Sequence, residues 1–350
     1  MSFKIEKIRD ILKEKKLDGF LVSNATNVSY LAESPITDSY LLLTKGKNIL
    51  LTDFRYILEA QALKNFTTER IDVSFVDTIA SVAGKLKLKR VGFEGRSISY
   101  SVYVKLKKAL KKTVLIDTCD IVEKMRAVKE RSEVGLLRKA VKVTEETFFY
   151  IRKTLRSGMT EEELKKRIAI YIKSHNGAEE AFSTIVASGP NAAKPHANAT
   201  TRKIGRGEPI IIDFGVKFSG YNSDLTRTFY LGKMDSKFRK IYDIVLRAQE
   251  AAISFIRPGR IVSELDLAGR DVIKNAGFGK QFGHALGRGI GRDVHESPKI
   301  FKTAKGHPLM GMVLTVEPAV YIRGWGGVRI EDVVLVTKKG CEVLTDAIYK

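Results

Sequence analysis

Cysteine is nearly absent, with Cys119 and Cys341 the only two in 350 residues. Neither stands in a ligand or redox spacing, which sets aside disulfide scaffolds and thiolate metal sites and leaves two ordinary packed thiols as the expectation. Histidine is scarce too, at five residues, so a histidine-rich metal tract is excluded. No apolar run approaches the roughly eighteen residues of a membrane span. The opening Met1-Ser2-Phe3-Lys4-Ile5-Glu6 lacks the apolar core of a secretory leader. A cytoplasmic protein without membrane association is the expectation.

Basic charge, by contrast, is plentiful. Lys and Arg number 61 against 40 Asp and Glu, a net +21. Such a field attracts polyanions without specificity, yet the lysines are dispersed and not interleaved with aromatics, so nucleic acid is not the expected partner. The densest stretch, Lys105 to Lys112, reads as a helix with Val104, Leu106 and Leu110 facing inward and the lysines solvated. A hydrophobic content of 44% over this length supports one large domain or two ordinary ones.

Residues 1–125 alternate in a short α/β rhythm. Helical periodicity covers Lys4–Lys16 and recurs near 56–64, 79–87 and 101–111. Gly19–Val22, Val73–Val76, Val91–Phe93 and Val114–Ile116 read as strands, and Tyr40–Leu43 with Asn48–Thr52 as a hairpin about Lys45-Gly46-Lys47. The rhythm changes near Arg126, giving a second domain over 126–350. Two long amphipathic helices, Arg131–Thr154 and Glu161–His175, precede strand-rich sequence, and Thr160 with Glu163 forms a capping box for the second. Helices near 235–256 and 261–275 divide the hairpins into two sets, a pattern suggesting internal duplication.

Acidic residues in apolar strands carry the chemistry. Asp213 ends the run Ile210-Ile211-Ile212, and a hairpin folded between Phe218 and Ser219 sets it opposite Asp224. Glu317 follows Val313-Leu314-Thr315-Val316, Glu331 precedes Asp332-Val333-Val334, and folding about Gly324 sets these two opposite each other. Like charges facing across strands destabilise a sheet unless a cation compensates. Four such carboxylates can hold two divalent ions, and a hard-oxygen set suits Mn²⁺, Co²⁺ or Fe²⁺ over structural zinc. Two ions sharing a water suit hydrolysis. His196, His284 and His295 lie in Gly-rich polar stretches, where a histidine can polarise a carbonyl or shuttle a proton. His175 and His307 have unremarkable surroundings. Arg329, two positions before Glu331 on the same strand face, can pair with that carboxylate or hold a substrate carboxylate.

Val186-Ala187-Ser188-Gly189-Pro190-Asn191-Ala192-Ala193-Lys194-Pro195-His196, Ile212-Asp213-Phe214-Gly215, Ser223-Asp224-Leu225-Thr226-Arg227-Thr228, Val294-His295-Glu296, Thr315-Val316-Glu317-Pro318 and Gly327-Val328-Arg329-Ile330-Glu331-Asp332 resemble the pita-bread metallopeptidases, most closely Xaa-Pro aminopeptidase and prolidase. Residues 1–125, with Thr52-Asp53-Phe54-Arg55-Tyr56, are similar to that family's creatinase-like N-terminal domain. The resemblance implies an α/β (α+β) fold, the creatinase-like α/β domain followed by a pita-bread domain with a curved antiparallel sheet flanked by helices. It implies a homodimer, a peptide substrate with proline second, and two divalent ions (Mn, Co, Fe or Zn) on five ligands. Asp213, Asp224, Glu317 and Glu331 match four ligands. The fifth, a histidine, is Arg288 here, while His196, His284, His295 and Arg329 match pocket residues.

Arginine cannot donate a lone pair and stays charged. At about 5 Å and an effective dielectric near 20 it repels a dication by roughly 7 kcal/mol. Either the guanidinium swings out and His284 moves in, or it lies among the carboxylates and replaces one metal's charge. Single or weakened occupancy is the expectation. Two functions follow: a metal-dependent exopeptidase cleaving before proline, or a non-catalytic peptide- or polyanion-binding module in which Arg288 neutralises the acids.

Overall fold

A computed structural model describes residues 3–348 and 350. The chain divides into two compact units, Met1–Lys124 and Met125–Lys350.

The first unit is built on a six-stranded mixed sheet in the order Thr67–Arg70, Asn48–Thr52, Ser39–Thr44, Gly19–Val22, Arg90–Phe93 and Val114–Asp117. Gly19–Val22, Ser39–Thr44 and Asn48–Thr52 pair antiparallel, and the outer pairings are parallel. The central strands are buried on both faces, as Leu21 and Leu42 on one side and Phe20 and Leu43 on the other show at 0% exposure, so they read as continuous apolar runs. Three readings are corrected here. Val73–Val76 is not a strand: Ser74 caps the helix Phe75–Lys85, and Val73 is exposed. The strand is Thr67–Arg70, whose polar Thr-Thr-Glu-Arg carries no alternation and pairs at the sheet edge. Val104 lies outside: in the helix Tyr100–Ala109, Leu106 is buried and Val102 and Tyr103 share its side, the i−3 and i−4 neighbours, whereas Val104 turns away. Cys119 is exposed, donating to Asp117 at 3.1 Å, so it is no packed thiol, while Cys341 is half-buried.

In the second unit, helices Arg131–Thr154 and Glu161–Lys173 cover one apolar cluster, with Ile210, Ile212, Phe214 and Leu225 on its strand side. Helices Ser236–Phe255 and Val262–Ile273 cover another, with Leu314, Val316, Val328 and Val334. Each helix pair thus backs a hairpin system: Pro209–Phe214 with Leu225–Tyr230, and Val313–Val316 with Asp332–Val336, continued by Ala319–Ile322 with Gly326–Arg329. The halves meet along a seam. Glu331 N–H donates to Thr226 C=O at 3.1 Å, and Arg329 N–H to Thr228 Oγ1 at 3.0 Å. Among the described residues no helix is long and apolar enough to cross a membrane.

The capping box is present: Glu163 N–H donates to Thr160 Oγ1 at 3.1 Å and Thr160 N–H to Glu163 Oε2 at 2.8 Å. Thr160→Ala is expected to cost about 1 kcal/mol in urea unfolding; a change within error would show that the helix start is held by its other contacts.

Candidate metal centre and active site

Hairpin geometry brings the acids together. Ser219 (φ 47°) and Gly220 (φ 80°) form the two-residue turn between paired Phe218 and Tyr221. Two consecutive left-handed residues match the twist of the strands. The hairpin therefore closes two places from the expected register, and Asp213 faces Thr226, not Asp224. An even shift keeps side chains on their original face, so Asp213 and Asp224 still converge. The second hairpin keeps one register through both ladders, with Val316 opposite Asp332 and Ala319 opposite Arg329. Glu317 and Glu331 thereby fall opposite each other in the gap between them.

Carboxylate oxygens of Asp213, Asp224 and Glu331 lie within 4.8 Å of one another. Glu317 borders them closely enough that its charge raises the pKa of both Asp224 and Glu331. Threonines brace the outer acids: Thr226 Oγ1 donates to Glu331 Oε2 at 2.7 Å, and Thr315 Oγ1 to Glu317 Oε1 at 3.3 Å.

Arg288 enters this cluster. It sits in the strand Gly287–Gly289, whose glycines are required by crowding: a Cβ on Gly287 would meet Thr315 O at 1.9 Å, and one on Gly289 would meet Ser297 O at 2.3 Å. With its flanks pressed against neighbouring strands, the alternating side chain projects to the carboxylates, and Nη2 donates to Asp224 Oδ2 at 2.5 Å. Of the two arrangements open to Arg288, this is the one among the acids. His284 does not move in: Nδ1 lies 2.8 Å from Ala285 O and Nε2 3.2 Å from Tyr321 Oη. Arg329 pairs with Asp213, at 2.5 Å, and not with Glu331 as expected. The Gly326–Arg329 strand and the Asp332–Val336 strand belong to different ladders, so simple alternation through Glu331 fails, and the guanidinium crosses the seam. It also donates to Tyr321 Oη at 2.8 Å and Pro195 O at 3.0 Å.

Burial shapes the titration of Asp224, Glu317, Glu331, Arg288, His284 and His295. It pushes Asp224 up to about 8, with Arg288 opposing and the Asp213 and Glu317 charges adding to the rise. Burial likewise raises Glu317, against Arg288 and Arg329, and drives Glu331 well up with help from Asp224, Glu317 and Asp213. On Arg288 burial acts downward, but Asp224, Glu317 and Glu331 outweigh it and the guanidinium is held above its ordinary range. Burial lowers His284 to about 4, so its imidazole is neutral near pH 7. Partial burial, Arg288 and His196 together depress His295. Both His196 and His295 are exposed residues at the rim. His175 and His307 lie elsewhere, on Glu146 and on the Arg260 carbonyl respectively.

The donor set fits a divalent cation. Asp213 Oδ1 and Glu331 Oε1 are buried without a hydrogen-bond partner, as is Arg288 Nη1, and unpartnered buried oxygens in a carboxylate cluster are what a hard cation satisfies. With all four carboxylates ionised, the Arg288 and Arg329 guanidiniums leave two negative charges for a cation to answer. Thr226, Thr315 and Tyr321 escaped the sequence reading. Period-two spacing from Asp224 and Glu317 would have found the threonines; Tyr321 has no signal outside the fold.

Residues 135–338 match the model for metallopeptidase family M24, and residues 4–128 match the creatinase/prolidase N-terminal domain. The chain is 34% identical to the Xaa-Pro dipeptidase of Pyrococcus furiosus, covering 99% of this chain and 98% of that one. It is 33% identical to the uncharacterized peptidase YqhT of Bacillus subtilis, covering 98% and 97%. Among solved structures, the Xaa-Pro dipeptidase from Bacillus anthracis superposes with a TM-score of 0.95 at 34% identity, covering 99% and 98%. The prolidase from Pyrococcus horikoshii does so at 0.91 and 33%, covering 98% of each. Two hairpins converging four acids beneath paired helices define a metallopeptidase domain. The chain belongs to metallopeptidase family M24, among the members that carry the creatinase/prolidase N-terminal domain.

A carboxyl whose folded pKa is raised stabilises the fold below its ordinary pKa and loses that contribution as pH climbs through the folded value. For Asp224 the window runs from 3.8 to about 8. A cation competes with the same protons. The melting temperature of metal-free protein is expected to fall between about pH 6 and about pH 8.5, and added Mn²⁺ to raise it more at the higher pH. An equal gain at both pH values would contradict the site.

Proposed function

We propose that the protein is an exopeptidase acting on the peptide bond before proline, as an Xaa-Pro dipeptidase or aminopeptidase, with a carboxylate centre holding one divalent ion in place of two. The carrying observation is the convergence of buried Asp213, Asp224 and Glu331 with unpartnered oxygens, one of them bound by Arg288. Relatives named Xaa-Pro dipeptidase over nearly the whole chain support the substrate class. Asp213, Asp224, Glu317 and Glu331 would hold the ion, of the Mn, Co, Fe or Zn group, which supplies Lewis acidity when bound.

The chain's own residues do the rest. His196 and His295, at the rim, face the substrate carbonyl and handle protons. The low pKa of His295 keeps it a base near neutrality. His284, neutral and braced by Tyr321, offers a hydrogen bond to a substrate terminus without adding charge. Arg329 fixes Asp213 and the Pro195 carbonyl in one geometry. Arg288 contributes the positive charge that a second cation would bring, at the position where the resemblance implies a histidine ligand. The resemblance also implies a homodimer, for which light scattering would give twice 39.1 kDa.

Arg288→His is expected to raise the metal content from about one to about two ions per chain and to raise Xaa-Pro dipeptide cleavage at least tenfold, the order expected when a repelling charge becomes a ligand. Asp224→Ala is expected to lose both metal and cleavage. Elemental analysis and a proline-release assay check these outcomes, and equal two-ion occupancy in native and Arg288→His proteins would refute the single-ion reading. The Arg288–Asp224 ion pair also favours a second reading, a non-catalytic peptide-binding module. Tight dipeptide binding without turnover, in metal-loaded native protein, would select it.

A further inference from the structure

Glu161 opens the helix Glu161–Lys173 and is fully buried, with 0% exposure. A buried carboxylate at a helix start would ordinarily bond its own helix, as Glu163 does with Thr160. Among the described residues, Glu161 instead receives its carboxylate donors from one loop only. Its Oε1 accepts from Ser188 N–H at 2.8 Å, Ser188 Oγ at 2.8 Å and Asn191 Nδ2 at 3.2 Å. Its Oε2 accepts from Asn191 Nδ2 at 3.1 Å, Thr200 N–H at 3.0 Å and Thr200 Oγ1 at 2.7 Å. Ser188 and Thr200 bracket the segment that carries His196. One side chain therefore closes both ends of that loop.

The loop's other side has no freedom either. The turn Gly189–Ala193 lies directly on the strand Gly326–Arg329, where a Cβ on Gly327 would meet Ala192 O at 2.3 Å and one on Gly326 would meet Gly189 O at 2.8 Å. From that strand Arg329 reaches both Pro195 O and Asp213 Oδ2. The residue next to His196 is thus tied to the carboxylate cluster by one guanidinium, and the loop ends are tied to Glu161. Two further bonds support the same ends: Glu162 N–H donates to Thr200 C=O at 3.1 Å, and Arg202 Nη1 to Ser188 Oγ at 2.6 Å.

We infer that Glu161 is a positioning residue that sets His196 relative to the carboxylate centre by clamping both ends of the 188–200 loop. The inference rests on the peptidase reading for His196's role, but the clamp itself does not. A carboxylate only accepts, and the backbone N–H groups of Ser188 and Thr200 cannot turn away as hydroxyls can. An amide in its place presents an NH₂ to one of the two ends, so one of the two backbone N–H groups loses its acceptor.

In the Glu161→Gln protein, hydrogen–deuterium exchange of peptides spanning 186–201 is expected to rise while those spanning 313–336 keep native protection. With added Mn²⁺, kcat/KM for an Ala-Pro dipeptide is expected to fall about tenfold, the loss typical of a charge-assisted hydrogen bond. His196→Ala and the Glu161→Gln/His196→Ala double variant are expected to share one kcat/KM, because Glu161 acts through His196. Unchanged exchange over 186–201, or a double variant losing the product of the two single losses, overturns the inference. Should Glu161→Gln fail to fold, Thr200→Val removes one donor with the carboxylate intact, and native exchange over 186–201 in that variant overturns it equally. Failure of the peptidase reading appears separately, as metal-loaded native protein that cleaves no Xaa-Pro dipeptide; the exchange comparison then decides the role of Glu161 alone.

Discussion

Everything in the second unit is organised around negative charge forced out of water. Asp213, Asp224, Glu317 and Glu331 come from separate segments at the strands and their ends, and their mutual repulsion in a buried site is large unless cations or protons answer it. The fold supplies two of those cations itself, one to each aspartate: Arg329 to Asp213 and Arg288 to Asp224. The two glutamates are left to threonine hydroxyls, which can hold an oxygen in place but cannot neutralise it. That imbalance is what makes the centre a cation site and not a closed salt-bridge network.

Behind the cluster a second buried network fixes the backbone. Arg227 Nη1 donates to Glu331 O at 2.6 Å, and Nη2 to Asp332 Oδ1 at 2.7 Å. Asp332 also accepts from Thr345 Oγ1 at 2.7 Å and Gln249 Nε2 at 2.5 Å. Burial acts to raise Asp332, but Arg227 and Lys350 hold its carboxyl below the usual range. Buried ion pairs of this kind are weak evidence for stability because desolvation offsets the Coulomb gain. Their geometric consequence is clearer: Arg227 from the first hairpin system holds both the Glu331 carbonyl and the next residue, Asp332. A comparable arrangement, Arg126 and Lys129 on Glu296, secures the segment beside His295.

Much of this was legible in the chain. The helices Arg131–Thr154 and Ser236–Phe255, the capping box and the central strands follow from apolar period and capping chemistry, which are local. The acids stood out because charge in an apolar strand contradicts its surroundings. Local signals failed where pairing decides: Thr67–Arg70 is a strand only because Asn48–Thr52 offers it an edge, and Val104 is outside because the helix phase is set by Leu106 against the sheet. The hairpin register was missed by two residues, since Ser219 accepts a left-handed conformation that serine alone does not advertise. Glu161 carried no signal at all; its partners lie 27 to 39 positions away.

The sequence by itself determined which residues are charged, which strands and helices are apolar, and that four acids needed an answering positive charge, because composition and periodicity act over a few residues. Only the tertiary structure decided who answers: that Arg329 crosses a seam to Asp213, that glycines at 287 and 289 let strands close in and aim Arg288 at Asp224, and that His284 stays on Tyr321. Those are contacts between segments brought together by packing, and no spacing along the chain encodes the distance between them.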